Sequence, residues 1–394
     1  MTSGITTAPT SPTSPTCARR WRVLEVSGSA AGGVRAHLGD CARLLARAGH
    51  DVLVEAPAAV LAGLDLGGAR GRALEIGTAP AAGDAAAVAR LRLLGRRADV
   101  VHAHGLRAGA AAALALGRRR DSRTRLVVTL HNLTVGGWIT RAVGARLERL
   151  IAARADLVLA VSPDLAERAL ECGAARVEIA VVPAPRRPGT DSPPRASSVE
   201  SAWRGGGGRV LTAARLAPQK GIDLLLEAAA LLQERVNAGG LGGVVWALAG
   251  EGPQAPAVQE RVRASGLPVR LLGRREDIAV LLEEADVVVQ TSLWEGQPLI
   301  IQEALRAGAA VVATDVGGTA LTARGGAVLV EPRARAVADA IAALLTDDSA
   351  LSDARGRACA AANDLPTDDD LADQLAGILP PPDRASRVDA ADGR

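Results

Sequence analysis

DVVHAHGLRAGAAAALALGRRRDSRTRLVVTL, residues 99–130, carries the pattern that decides the fold. Two short runs rich in β-branched residues, DVVHAH (99–104) and RLVVTL (125–130), flank an alanine- and leucine-rich segment. Neither run alternates apolar with polar residues. Each therefore reads as a strand covered on both faces, and the helical segment between them completes a strand–helix–strand unit of a parallel sheet. The most apolar part, Ala108 to Gly117, is about half the length needed to span a bilayer.

The unit repeats in both directions. WRVLEV (21–26), DVLVEA (51–56) and RALEIG (72–77) lie upstream, and DLVLAV (156–161) and VEIAVV (177–182) lie downstream. Residues 184–208 are rich in Pro, Ser and Gly and break the pattern, which restarts at RVLTAA (209–214). VVWALA (244–249), VRLLG (269–273), DVVVQT (286–291), AAVVAT (309–314) and AVLVEP (327–332) follow. The expectation is an α/β chain of two Rossmann-like, doubly wound domains facing across a cleft, residues 21–185 and 209–365, joined by a linker over 186–208. Residues 1–20 read as a disordered leader, and 366–394 as a tail with one short helix from Asp368 to Leu379. Ligands of such folds sit beyond the carboxyl ends of the strands.

Composition narrows the function. The chain of 394 residues has five Trp, no Phe and no Tyr, so it lacks the aromatic platforms of single-stranded nucleic-acid binders. Its formal charge of +3 is too small to imply a polyanionic partner. Cys17, Cys41, Cys172 and Cys359 form no C-x-x-C pair and read as buried thiols in a reducing cytosol. No signal-peptide pattern opens the chain, so the expected location is cytoplasmic, with peripheral contact at the inner face of a membrane as an extension.

Three clusters carry chemistry. In WEGQPLIIQEA (294–304), Pro298 suits the first turn of a helix, which puts Glu295 in the preceding loop and Glu303 inside the helix. The amides of Leu299 and Ile300 would then be unpaired and favour a phosphate, while a helical carboxylate accepts the two hydroxyls of a ribose. A capped, exposed helix is the alternative. RLAPQKG (215–221) places Arg215 and Lys220 on a turn after a strand, a pairing suited to neutralising a diphosphate without metal; a solvated basic turn is its alternative. Lys220 is the one lysine among 46 basic residues. In the first domain, Gly32-Gly33 opens a helix where a backbone can approach a ligand. His102, His104 and His131 sit at strand ends, where cleft residues belong. His102-x-His104 has no third metal ligand near it in sequence, so substrate contact is favoured over metal; His37 and His50 read as core.

Taken in order, GGVRAH, DVVHAHG, TLHN, ADLVLAVSP, RLAPQKG, LAGEGP, LLGRREDI, EGQPLIIQEAL and ATDVGG resemble the retaining glycosyltransferases of family 4, over about residues 21–365. The resemblance implies the GT-B architecture, an acceptor-binding first domain, and sugar transfer from a nucleoside-diphosphate sugar with retention and without metal or other cofactor. It implies that Arg215 and Lys220 grip the diphosphate, that Glu303 binds the ribose, and that Glu295 meets the sugar. It also implies that Leu299, Ile300 and Gly33 complete the phosphate site, that His131 meets the sugar near its hydroxymethyl group, and that Arg274 lies by the base. His102 and His104 are candidates on the acceptor side. The acceptor is unidentified, lipid-linked or small, and nucleic acid is not expected. The sequence departs from the family in two places: Glu295-Gly-Gln-Pro replaces the frequent Phe-Gly, and Ala320-Leu321 replaces the usual Pro-Glu after Gly317-Gly318. Two other readings stay open. One is a nucleotide-sugar 2-epimerase on the same architecture. The other is a catalytically silent membrane-surface adaptor using the arginine-rich RLRLLGRR (90–97) and RAVGARLERLIAARA (141–155).

Overall fold

Continuous runs of Val, Leu and Ala bury both faces of a strand, and in the computed structural model they do so twice. The structure describes residues 19–77, 83–117, 123–133, 137–185 and 200–380. Most of the expected leader, linker residues 186–199 and the tail beyond 380 lie outside the described residues. The first sheet comprises β1 (Arg22–Ser27), β2 (Asp51–Ala56), β3 (Arg70–Ala73), β4 (Val100–His104), β5 (Arg125–Leu130), β6 (Leu157–Ala160) and β7 (Val177–Ile179). All its strands are parallel, in the order β3-β2-β1-β4-β5-β6-β7. One strand is misplaced by the sequence pattern. The edge strand β3 falls at Arg70–Ala73, ahead of the expected 72–77, because its four exposed residues pair with β2 without entering the core.

The second sheet comprises β8 (Gly208–Ala213), β9 (Val244–Ala249), β10 (Val269–Gly273), β11 (Val287–Gln290), β12 (Ala310–Thr314) and β13 (Ala327–Val330). Its order is β10-β9-β8-β11-β12-β13, again parallel. Strand order reverses between β1 and β4 and between β8 and β11, the two places where a parallel sheet leaves a crevice at its carboxyl edge. Trp246 is fully buried in this sheet, and its indole N–H donates to Thr212 Oγ1 at 3.0 Å.

The expected tail departs most from the sequence reading. Residues Asp368–Ile378 form a helix that joins the first domain, with Leu371, Leu375 and Ile378 buried in that domain's core. Thr367 and Asp370 make a reciprocal capping box, and three aspartates occupy the positive first turn, so the acidic run starts a helix. Asp368 pairs with Arg43 at 3.1 Å, and Arg125 donates to the carbonyls of Gly377 and Leu379.

Three arginines of the two arginine-rich segments are turned to structural work. Arg90 pairs with buried Glu55 at 2.8 Å, Arg92 donates to Ala115 O, and buried Arg154 binds Asp156 and Thr124 O. Trp138 and Val143 remain exposed on the helix Trp138–Arg154. Among the described residues no helix is long and apolar enough to cross a membrane. Truncating Leu375 to Ala should cost about 3 kcal/mol by emptying a core site, and Thr367→Ala about 1 kcal/mol through the lost cap. Urea denaturation of both variants measures this, and unchanged midpoints would detach the helix from the first domain's core.

Candidate active site

The turn after β8 fixes the lysine. Pro218–Lys220 form a single 3-10 turn closed by Gly221 at φ +61°, where a Cβ would lie 2.0 Å from Thr291 O. No other residue fits there. The turn is stitched to the loop after β11: Leu293 N–H donates to Gln219 O at 2.8 Å, and Gln219 Nε2 donates to Trp294 O at 3.0 Å. Lys220 is thereby held against Glu295, and its ammonium forms a salt bridge with that nearly buried carboxylate. Ser292 Oγ donates to the same oxygen at 2.6 Å. The structure thus joins two residues that sequence spacing had placed 75 positions apart.

The Glu295 loop meets the first domain. Gly296 lies so close to β6 that a Cβ would come 2.5 Å from Val161, and 3.5 Å from His131 O. Trp294 donates its indole N–H to Asp164 at 2.7 Å, across the cleft. The helix Leu299–Arg306 begins one residue later than expected, with Pro298 as its N-cap. Among the described residues the amides of Leu299 and Ile300 have no acceptor. Gly33, at the start of the helix Gly33–Arg47, packs on the Leu299 side chain: its Cβ position is 3.4 Å from Leu299 Cδ1. Glu303 lies half-buried one turn further along. Arg215 and Arg274, in the loops after β8 and β10, are exposed and have no ion-pair partner among the described residues.

The histidines form a buried chain. The β1–β4–β5 register sets Glu25 beside His102, and His104 beside Thr129. His131 Nε2 lies 3.3 Å from His104 Nδ1, and His104 Nε2 lies 2.7 Å from Glu25 Oε2. On the other side His102 Nδ1 is 3.2 Å from Glu25 Oε1, and His102 Nε2 is 2.7 Å from Thr129 Oγ1. His37 packs edge-on against His104 and His131, and its Nε2 is 3.6 Å from Cys41 Sγ. His102 and His104 are buried and stand behind His131, so the expected acceptor-side contact gives way to a supporting position. His50 is half-buried rather than core, and its Nδ1 accepts from Trp21 N–H. Cys41 Sγ lies within 4.8 Å of ring nitrogens of His102 and His104, but both nitrogens of each imidazole are already engaged, by Glu25, Thr129 and His131, so the three do not form a metal-ligand set.

Burial alone would raise the Glu25 pKa, but attraction to His102 and hydrogen bonds from His102 and His104 outweigh it and bring it down to about 2. Burial lowers His104, and holds His37 and His131 well below the ordinary imidazole range, helped by mutual repulsion. Glu25 escaped the sequence reading, although a carboxylate in an otherwise apolar strand signals a buried partner. Gln302 escaped it too. It is fully buried on the helix Leu299–Arg306 and bonds Val182 O and Ala184 N–H in the segment leaving the first domain.

Two family models match the chain: one described as glycosyl transferase 4-like domain over residues 32–185, and one described as glycosyl transferases group 1 over residues 207–347. Glycogen synthase of Mycobacterium tuberculosis is 28% identical over 286 residues, covering 68% of this chain. The match spans 66% of that relative's length. Among solved structures, Anabaena HepE in complex with UDP aligns at a TM-score of 0.72 and 22% identity, over 91% of this chain and 99% of that one. Sucrose-phosphate synthase of Thermosynechococcus elongatus aligns at 0.68 and 19% identity, over 95% and 100%.

The histidine cluster makes stability depend on pH. Neutral buried imidazoles take up protons on unfolding, so stability is full above the unfolded histidine pKa of about 6.5 and falls as pH drops below it. His37, His104 and His131 each contribute a slope of up to about 1.4 kcal/mol per pH unit. Glu25 acts lower: its contribution is present above the unfolded carboxyl pKa of about 4.3 and is lost as pH falls towards its folded value of about 2. Chemical denaturation at about pH 7.5 and pH 5.5 should show a clear loss at the lower pH. A flat profile would mean that the imidazoles are not held neutral.

Proposed function

Because the chain belongs to the glycosyl transferases group 1 and its two facing Rossmann-like domains have the GT-B architecture, we propose that it transfers a sugar from a nucleoside-diphosphate sugar to an acceptor, with retention of configuration. UDP is the favoured nucleotide, because HepE carries UDP, UDP and glucose, or UDP-glucose in its crystals. The observation that carries the reading is the Lys220–Glu295 pair beside the open helix terminus at Leu299. A cation, a carboxylate and amides without an acceptor are set in the loops and helix start that follow β8 and β11, at the carboxyl edge of the second sheet.

That arrangement suits departure of a diphosphate. As the anomeric C–O bond breaks, negative charge grows on the leaving phosphate. Lys220, Arg215 and the amides of Leu299 and Ile300 meet that charge. A diphosphate draws Lys220 away from Glu295 and frees the carboxylate for the sugar's hydroxyls. Glu303, on the same helix, accepts from the ribose. The acceptor oxygen bonds the anomeric carbon on the face the phosphate leaves, and its proton passes to the departing phosphate oxygen. These fixed cations and dipoles supply the neutralisation, so the step needs no metal and no strong protein base. Gly33 closes the phosphate site from the first domain, His131 lies alongside the sugar, and Arg274 borders the base.

Lys220→Ala and Glu303→Ala should each weaken UDP-glucose binding at least roughly tenfold in titration calorimetry, as expected for a lost charged hydrogen bond, with the fold retained by circular dichroism. Unchanged UDP-glucose binding and UDP release in both variants would remove the assignment.

A further inference from the structure

The histidine chain has a direction, and one carboxylate sets it. An ionised carboxylate only accepts hydrogen bonds, so His104 Nε2, 2.7 Å from Glu25 Oε2, carries a proton. Burial keeps His104 neutral, which leaves its Nδ1 bare. That nitrogen lies 3.3 Å from His131 Nε2, which must therefore be the donor. His131 is neutral too, packed among His37, His104 and His102, so its one proton is spent inward and its Nδ1 is a lone pair. No described residue bonds that Nδ1. The other branch ends at Thr129, whose hydroxyl can donate or accept, and it leaves the His131 side unchanged.

The geometry points to Glu25 as a positioning residue that sets, through His104, which nitrogen of His131 carries the proton, so that the cleft receives a bare Nδ1 and selects a ligand hydroxyl acting as donor. Glu25 itself is fully buried. His131 is its outlet, beside the loop that holds Glu295. That the hydroxyl belongs to a transferred sugar rests on the function proposed above. The tautomer assignment does not.

The chain has five histidines, few enough for each ring to be assigned by single His→Gln replacements. Long-range proton–nitrogen correlation spectra of histidine-labelled wild-type protein, at about pH 7.5, should show His104 and His131 as neutral Nε2–H tautomers. A cationic or Nδ1–H His131 overturns the inference. Glu25→Met keeps the side-chain length and removes the acceptor, so His104 turns its proton to Nδ1 and His131 shifts towards the Nδ1–H form. UDP-glucose affinity should then fall roughly tenfold while UDP affinity stays within about twofold, because only the sugar meets His131. An unchanged His131 tautomer, or equal loss for both ligands, overturns it as well. If Glu25→Met does not fold, the wild-type spectrum decides alone. Absence of UDP-glucose binding by the wild type would defeat the proposed function and leave the tautomer result to stand or fall separately.

Discussion

The side-chain amide of Gln302, enclosed between the domains, accepts from Ala184 N–H at 2.9 Å and donates to Val182 O at 2.8 Å. It does for the departing chain what a neighbouring strand would do, and the placement of everything in the cleft follows from that pair. Gln374 repeats the device one step earlier, donating to Ile179 O at 2.9 Å and accepting from Val181 N–H at 2.8 Å. Arg306, one turn beyond Gln302, donates to Ala184 O and to Pro366 O, so a single guanidinium fastens both places where the chain passes between the domains. With the helix Leu299–Arg306 tied there, its first residue meets Gly33 and the loop before it meets His131.

Charge is handled differently on the two sides of the cleft. On the second domain's side Lys220 is partly exposed and paired with the Glu295 carboxylate, with Arg215 exposed on the same turn. The first domain buries a carboxylate permanently among imidazoles, with both oxygens occupied. An exchangeable pair suits binding and release. A saturated buried network suits fixed geometry, since each of its members loses more by moving than it gains.

Fold and site were legible to different depths. Both sheets could be read because buried parallel strands need consecutive apolar residues, as in the runs at 125–130 and 244–249. The bounds of the strand at Arg70–Ala73 could not, since an exposed edge strand carries no apolar signal and the apolar residues after it drew the reading downstream. Lys220, Glu295, Leu299 and Gly33 take the local positions that the sequence pattern gives them, because short glycine- and proline-marked turns fix the backbone there. Gln302 and Gln374 were missed because their partners are backbone atoms more than 100 residues away, and nothing local marks such a bond. His102 and His104 end β4 as read, but their burial could not be seen from the sequence, because it goes with bonds to Glu25 that only the β1–β4 register reveals.

Leu371, Leu375 and Ile378 complete the core of the domain that begins at Trp21. During synthesis the first domain therefore waits with an uncovered apolar groove while the entire second domain is made. It cannot close its own interior until those late residues leave the ribosome. For a chain of this design the order of translation and the order of folding are opposed, and the first domain to appear is the last to be finished.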